Sequence, residues 1–297
     1  MTAPRQVLPG ATYLITRRCS QRQFLLRPSR ATSQTLLYVL ALAAARHGVR
    51  VHAFCSLSNH LHLLVTDPKA RLPAFMQLFG ALVARAVNAS LGRWEAFWAP
   101  DTYSAVRLVS PRDVADKTAY LLANPVEAGL VATGSAWPGL WSAPSRIGGE
   151  AFVAVRPRVF FDPKGTLPTR ETLQLTVPPG FESAERFRAE LEPALQVRED
   201  LARARHRPRG GFLGAARVLS QRPFGRPAPG EPRRGLNPRV ASRDRWKRIE
   251  VLGRLVEFLH WYRSAWRAWR AGDATASFPP GTYLLRVLHD VPCAGAG

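Results

Sequence analysis

The alternation of polar and apolar residues over positions 58–65 constrains the fold of this chain more than any other feature. His60 and His62 lie two residues apart, and a leucine follows each of them. Successive side chains of a β-strand point to opposite faces, so this spacing predicts a strand with both histidines on one face. Leu61 and Leu63 would then face a core on the other side.

Strand-like and helix-like segments alternate through the first half of the chain. They lie in the order β-α-β-β-α-β-α, at residues 13–16, 33–46, 51–57, 61–66, 72–91, 103–109 and 113–123. We expect Ser33 to cap the first helix and Asn124-Pro125 to end the last, because proline cannot continue helical hydrogen bonding. The alternation predicts an α+β fold, a ferredoxin-like antiparallel sheet with packed helices.

The second half of the chain gives weaker signals. A charged helix is predicted at 182–206, a basic linker rich in Pro and Gly at 207–241, and an amphipathic helix at 243–271. We therefore divide the chain into a first domain over residues 1–145, a connecting region over 146–240, and a mostly helical basic extension over 241–297.

The charge of the chain favours a polyanionic partner. It has 42 Lys and Arg residues against 21 Asp and Glu residues, a net charge of +21. Nucleic acid is the commonest polyanion in a cell. A GC-rich genome also favours arginine codons, so composition supports nucleic-acid binding without proving it. The helix at 243–271 is either a DNA-binding appendage or an ordinary amphipathic helix with a solvated basic side.

Nothing in the sequence indicates a membrane protein. The longest apolar run, near residues 36–45, is too short to span a bilayer, which needs roughly 20 residues. The N-terminus lacks the order of a signal peptide. We expect a cytoplasmic protein with no membrane partner and no small-molecule substrate.

A second motif covers residues 120–131. Tyr120 and Asn124 are four residues apart on a predicted helix, so both lie on one face. Tyrosine can act as a nucleophile toward phosphorus, and an amide oxygen can bind a hard cation. Taken alone, each motif also fits a plainer interpretation: unrelated surface histidines at 60 and 62, and a packing tyrosine at 120.

Together the two motifs resemble those of the single-tyrosine HUH transposases, the insertion-sequence-200-like group, and in particular the REP-associated tyrosine transposases. Residues 59–65 are similar to that family's Asn-His-x-His strand. Residues 120–131 are similar to its helix Tyr-x-x-x-Asn-Pro-Val-x-x-Gly-x-Val, and Trp137-Pro138 to a following Trp-Pro. The resemblance covers about residues 8–145. The sequence departs from the pattern at Leu57-Ser58, where Met-Pro is common, and at Glu127, where a basic residue is common.

This resemblance implies an HUH endonuclease core and a chemistry. Tyr120 would attack single-stranded DNA, and the products would be a 5′-phosphotyrosine and a free 3′-OH that can later reseal the strand. A divalent metal, Mg²⁺ or Mn²⁺, would bind His60 and His62, with Asn124 as a third ligand. The DNA partner would be single-stranded and associated with hairpin-forming repeats.

Two other functions share parts of the pattern. A non-catalytic DNA-binding regulator derived from a transposase would keep the fold, although the intact His60, His62 and Tyr120 weigh against it. A rolling-circle replication initiator or relaxase-like nickase shares the chemistry of two histidines and a tyrosine. Those proteins lack the Tyr-x-x-x-Asn-Pro-Val run in this form.

Several basic and aromatic residues are candidates for DNA contacts, although solvated charges and core packing are the alternatives. The candidates for phosphate contacts, chosen for their position near the sheet and the Tyr120 helix, are Arg17, Arg18, Arg107 and Lys117. The candidates for stacking on unpaired bases are Trp94, Phe97 and Trp98.

Overall fold

The computed structural model describes residues 4–100, 103–228 and 238–295. Its elements in chain order are β1 (Ala11–Arg18), α1 (Arg30–His47), β2 (Arg50–Ser56), β3 (His60–Asp67), α2 (Leu72–Ser90), β4 (Ser104–Leu108), α3 (Pro111–Glu127), β5 (Phe152–Val155), β6 (Arg170–Leu173), α4 (Ala184–His206), α5 (Ala215–Leu219), β7 (Val240–Ala241), α6 (Arg245–Arg270) and α7 (Leu284–His289).

Five strands form the main sheet, in the order β2-β3-β1-β4-β7. β3 pairs antiparallel with β1 and β2, and β1 pairs antiparallel with β4. The first four strands and their helices confirm the predicted α+β fold with a ferredoxin-like order. β7 adds a fifth strand, parallel to β4, so the complete sheet is mixed.

The two faces of the sheet carry different neighbours. On one face, Leu61 and Leu63 of β3 line a cavity with Leu36 of α1 and Phe79 of α2. Burying a leucine contributes roughly 1.5–3 kcal/mol, so this packing fixes which face of β3 points inward. The face with the histidines lies against α3, where Tyr120 contacts His62.

The helix α2 has the length and hydropathy of a membrane span, but half of its apolar stretch is buried inside the protein. Phe75, Phe79 and Val83 are each no more than 1% exposed. Such burial is typical of a core helix in a globular fold.

The first helix begins earlier than predicted. It starts at Arg30, because the Ser29 side chain accepts a hydrogen bond from the backbone N–H of Thr32 and caps the helix. The prediction of Ser33 as the cap was therefore wrong, since two serines stand close together and only the first has extended backbone.

The helix α3 runs through Pro125 to Glu127, so the prediction that it stops at residue 123 was wrong. Gly129 lies in the left-handed region with φ +71°. Its N–H donates to the carbonyl of Val126, and the N–H of Leu130 donates to that of Pro125. This pair of hydrogen bonds is the Schellman motif, which is typical of helix C-termini. The glycine, and not the proline, therefore ends α3.

The region after residue 180 packs closely on the first domain. The charged helix is confirmed as α4, and Phe187 and Leu191 belong to the same buried core as the sheet. Within the predicted linker, the N–H groups of Leu213 and Gly214 donate to the carbonyls of Gly129 and Leu130. The linker prediction was therefore wrong for the part that the structure describes, which also contains α5 and β7; residues 229–237 lie outside that part.

The predicted C-terminal helix is confirmed as α6, which is mostly solvent-exposed. Val251, Phe258 and Ala265 are its buried residues. Ala265 packs with Phe278 and Val291 in a small second core. The exposed side carries most of the basic residues of the helix.

Candidate active site

The two histidines of β3 lie on one face of the sheet, as their spacing predicts. β1 pairs with β3 so that Thr16 is opposite His62 and Arg18 is opposite His60. Directly opposed residues share a face. The centroids of the two imidazole rings are 4.9 Å apart, and the rings are nearly perpendicular.

Each imidazole is held through its Nδ1 atom. His60 Nδ1 lies 2.7 Å from Asn59 Oδ1, and His62 Nδ1 lies 2.9 Å from Thr16 Oγ1. Because an amide oxygen only accepts, His60 Nδ1 donates and the Nε2 of the neutral ring keeps its lone pair. Such contacts orient histidines that bind metals and leave the second ring nitrogen available to the metal.

Both rings are neutral at physiological pH. Burial lowers the pKa of His60 to about 4, and the charge of Arg18 acts in the same direction. Burial, followed by the neighbouring His60 and Arg18, lowers the pKa of His62 well below its usual value. Neutral imidazole is the form that binds a metal ion.

Tyr120 lies against the histidine face. Its ring centroid is 5.7 Å from that of His62, and the side chain is half-buried. Asn124, one turn further along α3, lies close enough to Tyr120 and His60 for its amide to shift the pKa of both side chains. The i, i+4 spacing therefore places the tyrosine, the amide and the histidine pair in one site.

The Tyr120 phenol is protonated at neutral pH. Burial raises its pKa above the usual value of 10.0, and the negative charge of Glu127 raises it further. The amide of Asn124 and the charges of Arg18 and Arg198 act in the opposite direction, lowering the pKa of Tyr120 and favouring the phenolate. The site thus holds a neutral tyrosine with positive charge nearby.

Two of the predicted phosphate contacts lie beside this site. Arg18 is exposed at the end of β1, opposite His60. Lys117 places its Nζ 5.9 Å from the centroid of the Tyr120 ring and forms an ion pair of 3.2 Å with Asp116. Both place positive charge beside Tyr120.

The other two predicted phosphate contacts lie on the opposite face of the sheet. Arg17 alternates with Thr16 and Arg18 along β1, and its guanidinium is 5.6 Å from the centroid of the Trp98 ring. Arg107 is opposite Tyr13, which alternates with Thr16 in the same way. Neither arginine therefore lies beside Tyr120.

The three aromatic candidates for base stacking differ in exposure. Phe97 is 3% exposed, and Trp98 packs against it and donates a hydrogen bond to the carbonyl of Gly80. Trp94 is 88% exposed. Phe97 and Trp98 therefore pack in the protein, and only Trp94 presents its ring to solvent.

Arg198 of α4 is a site residue that the sequence reasoning did not find. Its guanidinium bridges two carboxylates of α3, at 3.0 Å from Asp116 and 3.1 Å from Glu127. The same group lies 5.6 Å from the centroid of the Tyr120 ring. Glu127 departs from the basic residue common in the resembled family, and here it orients a guanidinium from another helix. No local spacing links residue 198 to residue 120.

A divalent metal would have two imidazoles and one amide as its donors here. Within residues 4–100, 103–228 and 238–295, no cluster of three or more His, Cys, Asp or Glu side chains could hold a metal. The Nε2 of His62 is nevertheless buried without a hydrogen-bond partner. Buried polar atoms are normally paired, so this atom fits a metal ligand. A donor set rich in nitrogen suits Mn²⁺ as well as Mg²⁺.

Comparison with known proteins finds similarity among solved structures. No family model matches the sequence, and no curated protein matches it. The chain is similar to a REP-associated tyrosine transposase bound to a REP hairpin, with a TM-score of 0.40 and 19% identity, over 47% of this chain and 81% of that one. It is also similar to a protein from Deinococcus radiodurans R1 described as a transposase, with a TM-score of 0.28 and 18% identity, over 36% of this chain and 85% of that one. Both neighbours are described as transposases, the class that the sequence motifs resemble.

Proposed function

We propose that this protein is a transposase-type strand transferase that cleaves and rejoins single-stranded DNA through a covalent bond to Tyr120. The observation that carries the proposal is that Tyr120 lies against the histidine pair. The centroid of its ring is 5.7 Å from that of His62, which is 4.9 Å from that of His60. Packing alone does not require two neutral imidazoles beside a phenol.

In the proposed reaction, the Tyr120 oxygen attacks the phosphorus of a DNA phosphodiester. A bond from that oxygen to phosphorus forms as the bond from phosphorus to the 3′ oxygen breaks. The 3′ oxygen leaves with a proton as a free 3′-OH, and the 5′ end stays on Tyr120 as a phosphotyrosine. A 3′-OH can later reverse these steps and reseal the strand, because the new diester conserves the bond energy.

The phenolic proton must leave Tyr120 during the attack. The raised pKa keeps the phenol protonated until DNA is bound. Arg18 and Arg198 then favour the phenolate and the charge that develops on the transferring phosphate. Lys117, one turn before Tyr120, adds a third positive group to this side of the site.

His60, His62 and Asn124 would hold a Mg²⁺ or Mn²⁺ ion. When bound, such an ion polarises a non-bridging oxygen of the phosphate. Asn59 and Thr16 keep the two imidazoles in place. The near-perpendicular rings offer their nitrogens from two directions.

The proposed substrate is single-stranded DNA, associated with hairpin-forming repeats as the motif resemblance implies. The net charge of +21 suits a polyanionic partner. An exposed Trp94 can stack on an unpaired base. A DNA-acting enzyme of this kind would work in the cytoplasm.

The test is covalent capture of hairpin-bearing single-stranded DNA in the presence of Mn²⁺, followed by a denaturing gel. Wild type should form an adduct, and Tyr120→Phe should form none while keeping DNA affinity within a few-fold, since only the hydroxyl is removed. Tyr262→Phe, a change on the distant helix α6, is the matched control and should form the adduct. An adduct on Tyr120→Phe would assign another nucleophile, and a wild type that never reacts with Mg²⁺ or Mn²⁺ would favour the non-catalytic regulator.

A further inference from the structure

Three arginines line one cavity at the edge of the sheet that contains β7. The cavity has a volume of about 40 Å³, and its basic lining residues are Arg5, Arg107 and Arg239. Val251 and Leu255 of α6 close it with apolar surface. Because Arg107 projects from the face of the sheet opposite His62, the cavity is separate from the Tyr120 site.

Within the part of the chain that the structure describes, no acidic residue balances the positive charge of this cavity. Its lining includes no acidic residue. Among the residues that the structure describes, none of the three arginines forms an ion pair. Burial and the positive charge of Arg5 both lower the pKa of Arg239. An anion bound there would relieve this repulsion.

Hydrogen bonds hold the backbone of Arg107 and Arg239 and the side chain of Arg5 in position. The N–H of Arg107 donates to the carbonyl of Arg239 at 2.9 Å, as part of the pairing between β4 and β7. Arg5 donates from Nη2 to the carbonyl of Tyr103 and lies 4.0 Å from the centroid of that ring. The Nε of Arg5 is buried and has no hydrogen-bond partner. The strand backbone that bears Arg107 and Arg239 is therefore fixed before a ligand binds, and Arg5 has a buried donor to spare.

We propose that the cavity binds a phosphate group, from either a nucleic-acid backbone or a free phosphate monoester. A guanidinium presents a planar fork of donors that matches two phosphate oxygens, and it remains charged when partly buried. Three guanidiniums around one cavity can surround a tetrahedral anion. The proposal does not rest on the chemistry proposed for Tyr120, because the two regions lie on opposite faces of the sheet.

The experiment compares Arg107→Gln plus Arg239→Gln with the control Arg46→Gln plus Arg217→Gln, which removes equal charge from exposed helix positions. One arm measures thermal unfolding against inorganic phosphate, and the other measures anisotropy of labelled hairpin DNA. A free-phosphate site predicts stabilisation of wild type and control that the cavity variant loses. A backbone site predicts that the cavity variant loses DNA affinity by about tenfold or more relative to the control.

A variant with lysine at both positions, Arg107→Lys plus Arg239→Lys, keeps the charge and removes the fork, so it should recover part of the binding. If the glutamine pair does not fold, Arg239→Gln is compared with Arg217→Gln in the same two arms. Equal behaviour of the cavity variant and its control toward both probes would overturn the proposal. The phosphate arm involves no DNA cleavage, so its result is independent of whether Tyr120 is a nucleophile.

Discussion

The two basic regions of the molecule differ in how their arginines are balanced. Beside Tyr120, Arg198 pairs with two carboxylates, Asp116 and Glu127. In the cavity at the β7 edge, Arg107 and Arg239 line a space with no acidic residue. A paired guanidinium holds its carboxylate neighbours in place through directed, charge-assisted hydrogen bonds. An unpaired cluster keeps its potential for an outside anion.

The largest effect should come from removing the histidine pair. His60→Ala plus His62→Ala should abolish metal-dependent DNA cleavage and leave the fold largely intact, because these side chains face the site. Mn²⁺ should stabilise wild type, by about 2.7 kcal/mol at a hundred times its Kd, and should not stabilise the double variant. Thermal unfolding with and without Mn²⁺ measures this, and phosphate binding in the cavity should be unchanged. Full metal-dependent cleavage by the double variant would refute the two-histidine assignment.

A smaller effect should separate a paired arginine from an unpaired one. Arg198→Ala removes the ion pair of Glu127 and leaves Asp116 paired with Lys117 alone, and the side chains of Arg198, Asp116 and Glu127 are 20–26% exposed. We expect a loss of about 1–2 kcal/mol in the free energy of unfolding, between the values for surface and buried pairs. The rate of adduct formation should fall by about 100-fold.

Arg107→Gln is the matched comparison for Arg198→Ala. It removes a charge that has no partner, so the free energy of unfolding should stay constant or rise. Urea denaturation of both variants measures the difference, and Arg198→Lys should restore part of the adduct rate because it restores the charge. Equal stability of Arg198→Ala and wild type would show that this ion-pair network does not hold the site.

The smallest effect should appear in acid. Burial alone would raise the pKa of Asp116, but the hydrogen bond from Arg198 and the charge of Lys117 outweigh it and lower that pKa below 3.8. A carboxyl with a lowered folded pKa contributes stability that is present above its unfolded pKa and is lost as the pH falls through the folded value. Arg198→Ala should therefore lose stability less steeply below about pH 4 than wild type. Urea denaturation of both proteins across this pH range measures the fall in the free energy of unfolding. A cavity variant such as Arg107→Gln that reduced this fall to the same extent would contradict the difference between the two regions.

Local patterns were enough to predict the elements that form the candidate site. The alternation at residues 58–65 predicted that His60 and His62 share a face, and the structure agrees because a strand repeats every two residues. The spacing of Tyr120 and Asn124 predicted one helical face in the same way. The motif resemblance supplied the roles proposed for these residues, which stay predictions.

Signals for the ends of elements were less reliable. Asn124-Pro125 read as a helix stop, yet α3 continues to Glu127, because a proline near the end of a helix removes only one hydrogen bond. The helix ends at Gly129, whose positive φ allows the hydrogen bonds of the Schellman motif. Residues 207–228 read as linker because Pro and Gly hide periodicity, although their backbone bonds to the end of α3.

The sequence by itself determined which residues share a face within one strand or helix, because backbone geometry is periodic. The tertiary structure alone decided which elements meet. It placed Arg17 and Arg107 on the face away from Tyr120, although both lie on strands of the same sheet, and it brought Arg198 to the tyrosine from far along the chain. Packing of α4 on α3 creates that contact. A periodic pattern describes only residues within one strand or helix, so it cannot predict which distant segments pack together.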